Sequence, residues 1–165
     1  MADFDEKSLF PDVPRVIYER SPLVDVICQL RFPTILKIDS GPPADFQERI
    51  RDAFPLFDQR RVTSALPPEI AALIAKQVPQ LPEDGRTESR FFTEDRKWTV
   101  TLTRDFLSIQ TPSYERWEAF WGKLCGPLRA LVEIYKPAFF QRIGIRYVDV
   151  IDRSNIGQEA VSWRE

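Results

Sequence analysis

The sequence has no histidine, only two cysteines and only six glycines among its 165 residues. Without histidine, the Cys–His and Ser–His pairs that activate many protein nucleophiles are excluded, and so are histidine ligands to a metal. Cys28 and Cys125 lie far apart in the sequence and form no CxxC motif. We therefore expect neither a zinc site nor a disulfide framework, and we expect a reducing compartment.

The glycines are scattered, and neither a GxGxxG nor a GxxxxGK pattern occurs. Binding of ATP or a dinucleotide by a glycine-rich loop is therefore excluded. The first residues, MADFDEKSLF, are acidic, and no stretch is long enough to span a bilayer. We expect a cytoplasmic protein with no membrane contact. The net charge of −2 gives no general attraction for nucleic acid.

Length and composition favour one globular domain. A chain of this size buries about 70% of its unfolded surface, and 43% hydrophobic with 29% charged residues is an ordinary globular balance. Residues 1–12 are polar and acidic, which predicts a flexible tail. We place a single domain at 13–152 with a proline-rich helical excursion at 58–88, and a weakly structured segment at 153–165.

The stretch SPLVDVICQLRFP (21–33) has the alternating pattern of a half-buried strand. Val26, Cys28 and Leu30 share one apolar side, and Gln29 and Arg31 lie on the other. A free cysteine among apolar neighbours is usually buried, so we expect Cys28 to be a core thiol and not a nucleophile.

Further strands and a short helix follow this stretch. Phe46, Ile50 and Phe54 are spaced as one stripe of a helix. SRFFTEDRKWTVTLTRDFLSIQT (89–111) is typical of a meander of strands joined by polar turns. FFQRIGIRYVDVID (139–152) predicts the last strand.

A long helix is predicted between the meander and the last strand, at 114–135. Its aromatic and leucine residues step by three and four, and we expect this seam, with Trp117 and Trp121, to pack on the sheet. Pro127 lies inside the helix and should kink it or split it in two. Lys136 and Pro137 should end it.

This order of elements predicts an α+β fold, with a mainly antiparallel sheet and helices packed on one of its faces. A ferredoxin-like β-α-β-β-α-β arrangement is the simplest match. A helix-grip or TATA-binding-protein-like curved sheet is the alternative, because an additional strand at 90–93 makes the sheet larger.

Four stretches carry a resemblance to a known family: VIYERSPLVDVICQLRFP, KWTVTLTRDFLSI, YERWEAF and PAFFQRIGIRYVDVI. They resemble uncharacterised, sporadically distributed bacterial and archaeal proteins with an N-terminal NPLxEVxCQLRFP-type motif and a C-terminal RIGIRY-type strand. The similarity spans most of 15–152, apart from 58–88. The family has no agreed activity, so the resemblance implies a shared domain and no mechanism. Members usually continue well beyond the RIGIRY strand, which implies either that this is a short member or that 153–165 begins a second half.

The polar side of the predicted sheet is the surface best suited to binding. Its candidate binding residues carry arginine, threonine or amide side chains that donate or accept hydrogen bonds: Gln29, Arg31, Thr101, Gln110, Arg142 and Arg146. Arg142 and Arg146 should lie about 13 Å apart on one side of a strand, and Gly144 between them leaves room for a ligand or another backbone. The alternative is an ordinary solvated sheet face.

The functional expectation is a non-enzymatic interaction protein, with no catalytic residue, no metal and no cofactor. Its partner would be another protein or a second copy of the chain. A defence or toxin-neutralising role is expected by analogy with the family's sporadic distribution. The alternative is RNA or anionic-ligand binding through Arg31, Arg142 and Arg146. RNA ranks lower because the polar side offers no stacking aromatic residue at its central positions.

Overall fold

The computed structural model describes residues 22–62 and 86–150. All the described strands and helices lie within Leu23–Val150, one of the two compact units of the chain. The elements in chain order are β1 (Leu23–Arg31), a 3₁₀ turn (Leu36–Asp39), α1 (Ala44–Ile50), β2 (Leu56–Val62), β3 (Arg86–Phe92), β4 (Thr99–Leu102), β5 (Phe106–Thr111), α2 (Trp117–Tyr135) and β6 (Arg142–Asp149).

The strands form one sheet in the order β2-β3-β4-β5-β1-β6, and every neighbouring pair is antiparallel. Because strand direction alternates across the sheet, β1 runs parallel to β2 and β5 runs parallel to β6. Each of these parallel pairs is joined through a helix, α1 in the first case and α2 in the second. β2 and β6 are the edge strands of the sheet.

The predicted α+β class with an antiparallel sheet is confirmed. The ferredoxin-like arrangement is not confirmed, because four strands and not two lie between the helices. The sequence analysis did not predict β2. β2 and β3 take up residues 58–62 and 86–88 at the two ends of the predicted excursion, and its middle, 63–85, lies outside the described residues.

The alternation predicted for β1 is confirmed from Val26 to Arg31. Val26, Cys28 and Leu30 are buried, whereas Gln29 is half-buried and Arg31 is exposed. The buried side of β1 faces the helices and joins the core through matching residues of β4 and β5. At about 25 cal/mol per Å² of apolar surface, this alternation is strongly favoured over a one-residue register slip.

The helix α1 is short, and its apolar stripe extends into the turn that follows it. Phe46, Ile50 and Phe54 are all buried, as their spacing predicted. The Phe54 amide donates to the Ile50 carbonyl at 2.8 Å, which continues the helical pattern beyond the last helical residue. The Phe46 ring packs at 5.3 Å from the Phe91 ring, measured between centroids, so α1 is anchored on β3.

The helix α2 packs on the sheet through part of the predicted seam, since Leu124 and Leu131 of that seam are buried. Phe120, Leu124 and Leu131 form its buried stripe. Trp117 and Trp121 are 41% and 45% exposed, so the predicted packing of these two rings in the core is wrong. They contact each other, with ring centroids 5.8 Å apart, at the margin of the core.

Pro127 does not split α2, which runs continuously from Trp117 to Tyr135. The proline itself is buried, so its ring packs into the protein while its missing N–H removes one backbone bond. The helix ends at Lys136, which adopts the left-handed conformation with a φ of 47°. Pro137 then prevents its continuation, as predicted.

Two threonine–aspartate pairs close the turns of the meander. Thr93 Oγ1 donates to Asp95 Oδ1 at 2.6 Å before β4, and Thr103 Oγ1 donates to Asp105 Oδ1 at 3.0 Å before β5. Thr103 is fully buried in its turn.

Neither of the two helices in the described ranges is long and apolar enough to cross a membrane.

Candidate binding face

The six candidate residues share one side of the sheet, which we call the polar face. Strand register fixes this arrangement, because residues directly opposite each other in an antiparallel pair point to the same side. Thr101 lies opposite Ser108, Ser108 opposite Gln29, and Gln29 opposite Gly144. This row crosses β4, β5, β1 and β6, and spans about 14 Å at the usual strand spacing.

The rows on either side hold the remaining candidates. On one side, Arg31 lies opposite both Phe106 and Arg142. On the other side, Ile27 lies opposite both Gln110 and Arg146. The arginines therefore flank the Gly144 row on β6, as the sequence predicted.

Two of the candidates bond within the protein. The Arg31 guanidinium donates to Asp105 Oδ2 at 2.9 Å and forms an ion pair with it. The Gln110 amide donates to Asp25 Oδ2 at 2.6 Å. These contacts tie β1 to β5 and to the turn that precedes β5. Arg31 and Gln110 therefore hold the sheet together on this face and have less capacity left for a ligand.

A shallow groove of about 620 Å³ lies over β1 and β6, and we call it the Gly144 groove. It includes three of the candidates, Gln29, Arg142 and Arg146. Thr101, Arg31 and Gln110 are not part of its lining. The complete lining is Ile27, Gln29, Arg142, Gly144, Ile145, Arg146 and Tyr147.

Glycine at position 144 keeps the floor of this groove low. A methyl group placed there would meet only the Arg142 side chain, with Nε at 3.8 Å and Nη2 at 4.0 Å, which is ordinary van der Waals contact. The Arg142 guanidinium therefore leans over Gly144 along the strand.

Arg142 and Arg146 are exposed, and their side chains make no ion pair or hydrogen bond with the described part of the chain. This distinguishes them from Arg31 on the same face and from Arg60, which pairs with Glu88 at 2.8 Å near the opposite edge. An arginine guanidinium carries five donors in a planar fork that suits a carboxylate or a phosphate. The backbones of Arg142 and Arg146 are about 13 Å apart along the strand, so the two side chains provide two separate anchoring points.

The other side of β6 is apolar and exposed, and we call it the β6 apolar row. Ile143, Ile145 and Tyr147 are 65%, 41% and 49% exposed. The Tyr147 ring contacts the Tyr114 ring edge-on, with centroids 5.6 Å apart. Tyr114 in turn contacts Phe120 of α2, so the row continues towards the start of that helix.

Geometry explains why this row is uncovered. Six strands about 4.8 Å apart make a sheet about 29 Å wide, whereas the two helices in the described ranges, each about 10 Å in diameter, cover about 20 Å of it. α1 packs against α2, and α2 packs over β5, so the uncovered strip falls at the β6 edge.

The chemistry available elsewhere is limited. Burial raises the pKa of the Cys28 thiol, and the side chain is 1% exposed, so it is neither ionised nor accessible as a nucleophile. A second hollow of about 680 Å³ is lined by Asp52, Glu94, Asp95 and Lys123, among others. Within the described ranges, however, no three cysteine, aspartate or glutamate side chains are grouped as metal ligands.

Sequence reasoning identified the arginines of β6 but missed the β6 apolar row as a surface. In RIGIRY, Ile143, Ile145 and Tyr147 alternate with Arg142, Gly144 and Arg146, and the strand register places them on the side facing the helices. Their exposure depends on where the helices end across the sheet, which the alternation does not encode. Ile27 was also missed, because it is the one apolar residue among the central positions of the polar side of β1.

Comparison with known proteins gives no family assignment: no protein-family model matches this sequence, and no curated protein matches it significantly.

Proposed function

We propose that this chain is a non-enzymatic interaction protein that binds a protein partner through its polar face at the Gly144 groove. The observation that carries this proposal is the state of Arg142 and Arg146. Both side chains are exposed on an edge strand, and neither is paired within the described residues. Arginine is enriched at protein interfaces, where its charge is matched by a partner carboxylate.

The surroundings of the arginines favour a protein over RNA. Sequence-specific RNA recognition uses exposed aromatic rings for stacking. The aromatic residues on this side, Phe92 and Phe106, are buried. The ring of Phe92 is covered by Arg90 and Arg96, with distances of 5.0 and 5.4 Å from each guanidinium carbon to the ring centroid.

The test is affinity capture of the tagged chain from its native host. The wild type is compared with the Arg142→Ala/Arg146→Ala double variant. The matched control is Arg49→Ala/Arg129→Ala, which removes the same charge from exposed positions on α1 and α2. We expect a protein captured by the wild type and the control to be lost from the groove variant.

RNA binding is measured in parallel at two salt concentrations. RNA binding that weakens steeply with salt and disappears in Arg142→Ala/Arg146→Ala would refute the protein-partner proposal in favour of the nucleic-acid alternative. Equal capture by all three forms of the protein would show that the groove is an ordinary solvated sheet face.

The biological role that we propose for this binding rests on the family resemblance alone. We propose a defence or toxin-neutralising role, in which the partner is a toxin encoded near this protein. Co-expression of each neighbouring gene with and without this chain tests it, and rescue of growth that depends on Arg142 and Arg146 is the expected result. The absence of a toxic neighbour would remove this part of the proposal.

We also propose that β1, β4, β5 and β6 form a ferredoxin-like unit with the two helices, which β2 and β3 extend. In support, these four strands are contiguous in the sheet, β1 runs parallel to β4, and α2 joins the parallel strands β5 and β6. Such connections are almost always right-handed. A left-handed connection through α1 or α2 in an experimental structure would contradict this assignment.

A further inference from the structure

We infer that the partner binds β6 by strand addition, as an extended segment in which acidic residues alternate with apolar ones. This inference rests on the proposed function and specifies the chemistry of the partner. In strand addition, the backbone of the partner bonds to an open sheet edge, and alternate side chains are read on the two faces.

Among the described strands, β6 is open on its outer side. β6 pairs with β1 through eight register positions on its inner side, and no other described strand pairs with it. An open edge with apolar side chains is a template for another strand, and proteins usually block such edges with charge, proline or a bulge. β6 has no proline, and its only irregularity in pairing lies at the end near Leu23 and Asp25.

The other edge of the sheet provides an internal comparison. β2 carries the sequence LFDQRRV, with four consecutive polar or charged residues from Asp58 to Arg61. Charge on both sides of an edge strand disfavours pairing with another chain. β6 has arginines on one side only, so it is the edge that accepts a strand.

The side chains of β6 define the pattern of a matching strand. On the polar face, acidic residues opposite Arg142 and Arg146 would supply the carboxylates that these guanidinium groups lack. On the other face, apolar residues opposite Ile143, Ile145 and Tyr147 would cover the β6 apolar row. A large side chain opposite Gly144 would fill the groove above it.

A second copy of this chain is a poorer occupant. In an antiparallel β6–β6 pair centred on Gly144, Arg142 of each copy would lie opposite Arg146 of the other. Like charges directly opposite each other destabilise a strand pair. An acidic partner removes this repulsion and replaces it with attraction.

The test uses capped, fluorescently labelled peptides and the full chain. The central residues of the first peptide are glutamate, valine, tyrosine, valine and glutamate. A second peptide has lysine in place of both glutamates. A third keeps the glutamates but is N-methylated at alternate residues, which removes its edge hydrogen bonds and leaves its charge unchanged. Binding is followed by fluorescence anisotropy, and protection of 142–149 by amide hydrogen exchange.

We expect the glutamate peptide to bind and to protect the β6 amides from exchange. Cross-strand charge pairs are modest, so Arg142→Ala/Arg146→Ala should weaken binding by about three- to ten-fold. The lysine peptide should bind more weakly than the glutamate peptide, and the N-methylated peptide should not bind. The Arg49→Ala/Arg129→Ala control should bind like the wild type.

Equal binding of the glutamate and lysine peptides would overturn the inference, and so would binding that survives N-methylation. Sedimentation showing a dimer whose β6 amides are already protected would assign the edge to a second copy. If a captured host protein depends on Arg142 and Arg146 but no peptide protects β6, strand addition is refuted and the proposed function stands. If neither capture nor peptide binding depends on them, both are refuted.

Discussion

The Arg31 guanidinium and the Asp105 carboxylate are 74 residues apart in the sequence and 2.9 Å apart in the protein. Asp105 also accepts a hydrogen bond from Thr103 through its other oxygen. The Phe32 amide donates to the Asp105 carbonyl at 3.1 Å, beside the ion pair. Arg31 therefore fastens the end of β1 to the β4–β5 turn, and it differs in this respect from the arginines of β6.

The first prediction separates these two kinds of arginine. Arg31→Ala should lower the free energy of unfolding by about 0.5–1 kcal/mol, the usual value for a partly exposed pair. It should leave partner binding nearly unchanged, because Arg31 does not line the Gly144 groove. Urea unfolding of Arg31→Ala, Asp105→Asn and the double variant gives the coupling energy. A loss of binding as large as that of Arg142→Ala/Arg146→Ala would contradict this assignment.

The second prediction compares neighbouring residues of α2. Phe120 is fully buried between Trp98 and Tyr114, with ring centroids 5.5 and 5.8 Å away. Phe120→Ala should cost about 3–5 kcal/mol of unfolding free energy, as for other large buried side chains. Trp121→Ala removes a half-exposed ring and should cost much less. Similar losses for both variants in thermal or urea unfolding would mean that Trp121 belongs to the core.

These neighbours also show where sequence reasoning on α2 failed. A spacing of three and four residues describes several adjacent stripes on a helix when aromatic residues lie on more than one of its sides. The stripe through Trp117 and Trp121 and the stripe through Phe120 share Leu124 and Leu131, so the spacing fits both equally well. Only packing against the sheet decides between them, and that depends on residues distant in sequence.

For the strands too, the local sequence pattern predicted some features, whereas others depend on tertiary contacts. The pattern of β1 was readable because one side of this strand is buried and the other is largely polar. β2 was missed because its side chains on both faces are mainly polar or charged at the sheet edge, so it has no alternation to detect. The polar face could be predicted from alternation alone. Which residues of this face bond within the protein could not be predicted, because the partners of Arg31 and Gln110 are distant in sequence.

The third prediction concerns thiol reactivity. Burial raises the Cys28 pKa, which lowers the thiolate fraction at neutral pH, and the side chain is closed to solvent. A thiol reagent should therefore label Cys28 only as fast as the protein opens, whereas the half-buried Cys125 should react sooner. Single-cysteine variants, Cys125→Ala and Cys28→Ala, assign the two rates. Rapid labelling of native Cys125→Ala protein would contradict the core position of Cys28.

The fourth prediction is a pH dependence of the turn before β4. The Thr93 hydroxyl donates to Asp95, and so does the Lys97 amide at 3.1 Å; these bonds hold the Asp95 pKa below its ordinary value of 3.8. A carboxyl whose pKa is lower in the folded state stabilises the protein above its unfolded-state pKa. That stabilisation is lost as the pH falls through the folded-state pKa.

Urea unfolding of the wild type and Asp95→Asn at successive pH values measures this effect. The wild type should have a higher free energy of unfolding than Asp95→Asn. This advantage should be constant at neutral pH and should shrink below pH 3.8. Because Asp95 is exposed at the tip of the turn, salt should reduce the advantage as well. An advantage that grows on acidification would show that the carboxylate is not held in its charged form.

The fifth prediction tests the Gly144 groove without removing any charge. A methyl group at position 144 meets only the Arg142 side chain at ordinary contact distance, so Gly144→Ala should fold normally. Glycine weakens a strand interior, so this variant should gain up to about 0.5–1 kcal/mol of unfolding free energy. Gly144→Val should also suit a strand, but its larger side chain fills the groove floor.

Partner binding should therefore fall from the wild type through Gly144→Ala to Gly144→Val while the unfolding free energy does not fall. A variant with a blocked site loses partner binding and keeps its unfolding free energy, whereas a variant with a damaged fold loses both. Titration of the captured partner or of the glutamate peptide against each variant gives the binding series, and thermal unfolding gives the stability series. If Gly144→Val binds as tightly as the wild type, the open space above Gly144 is not used, and the arginines act only as isolated surface charges.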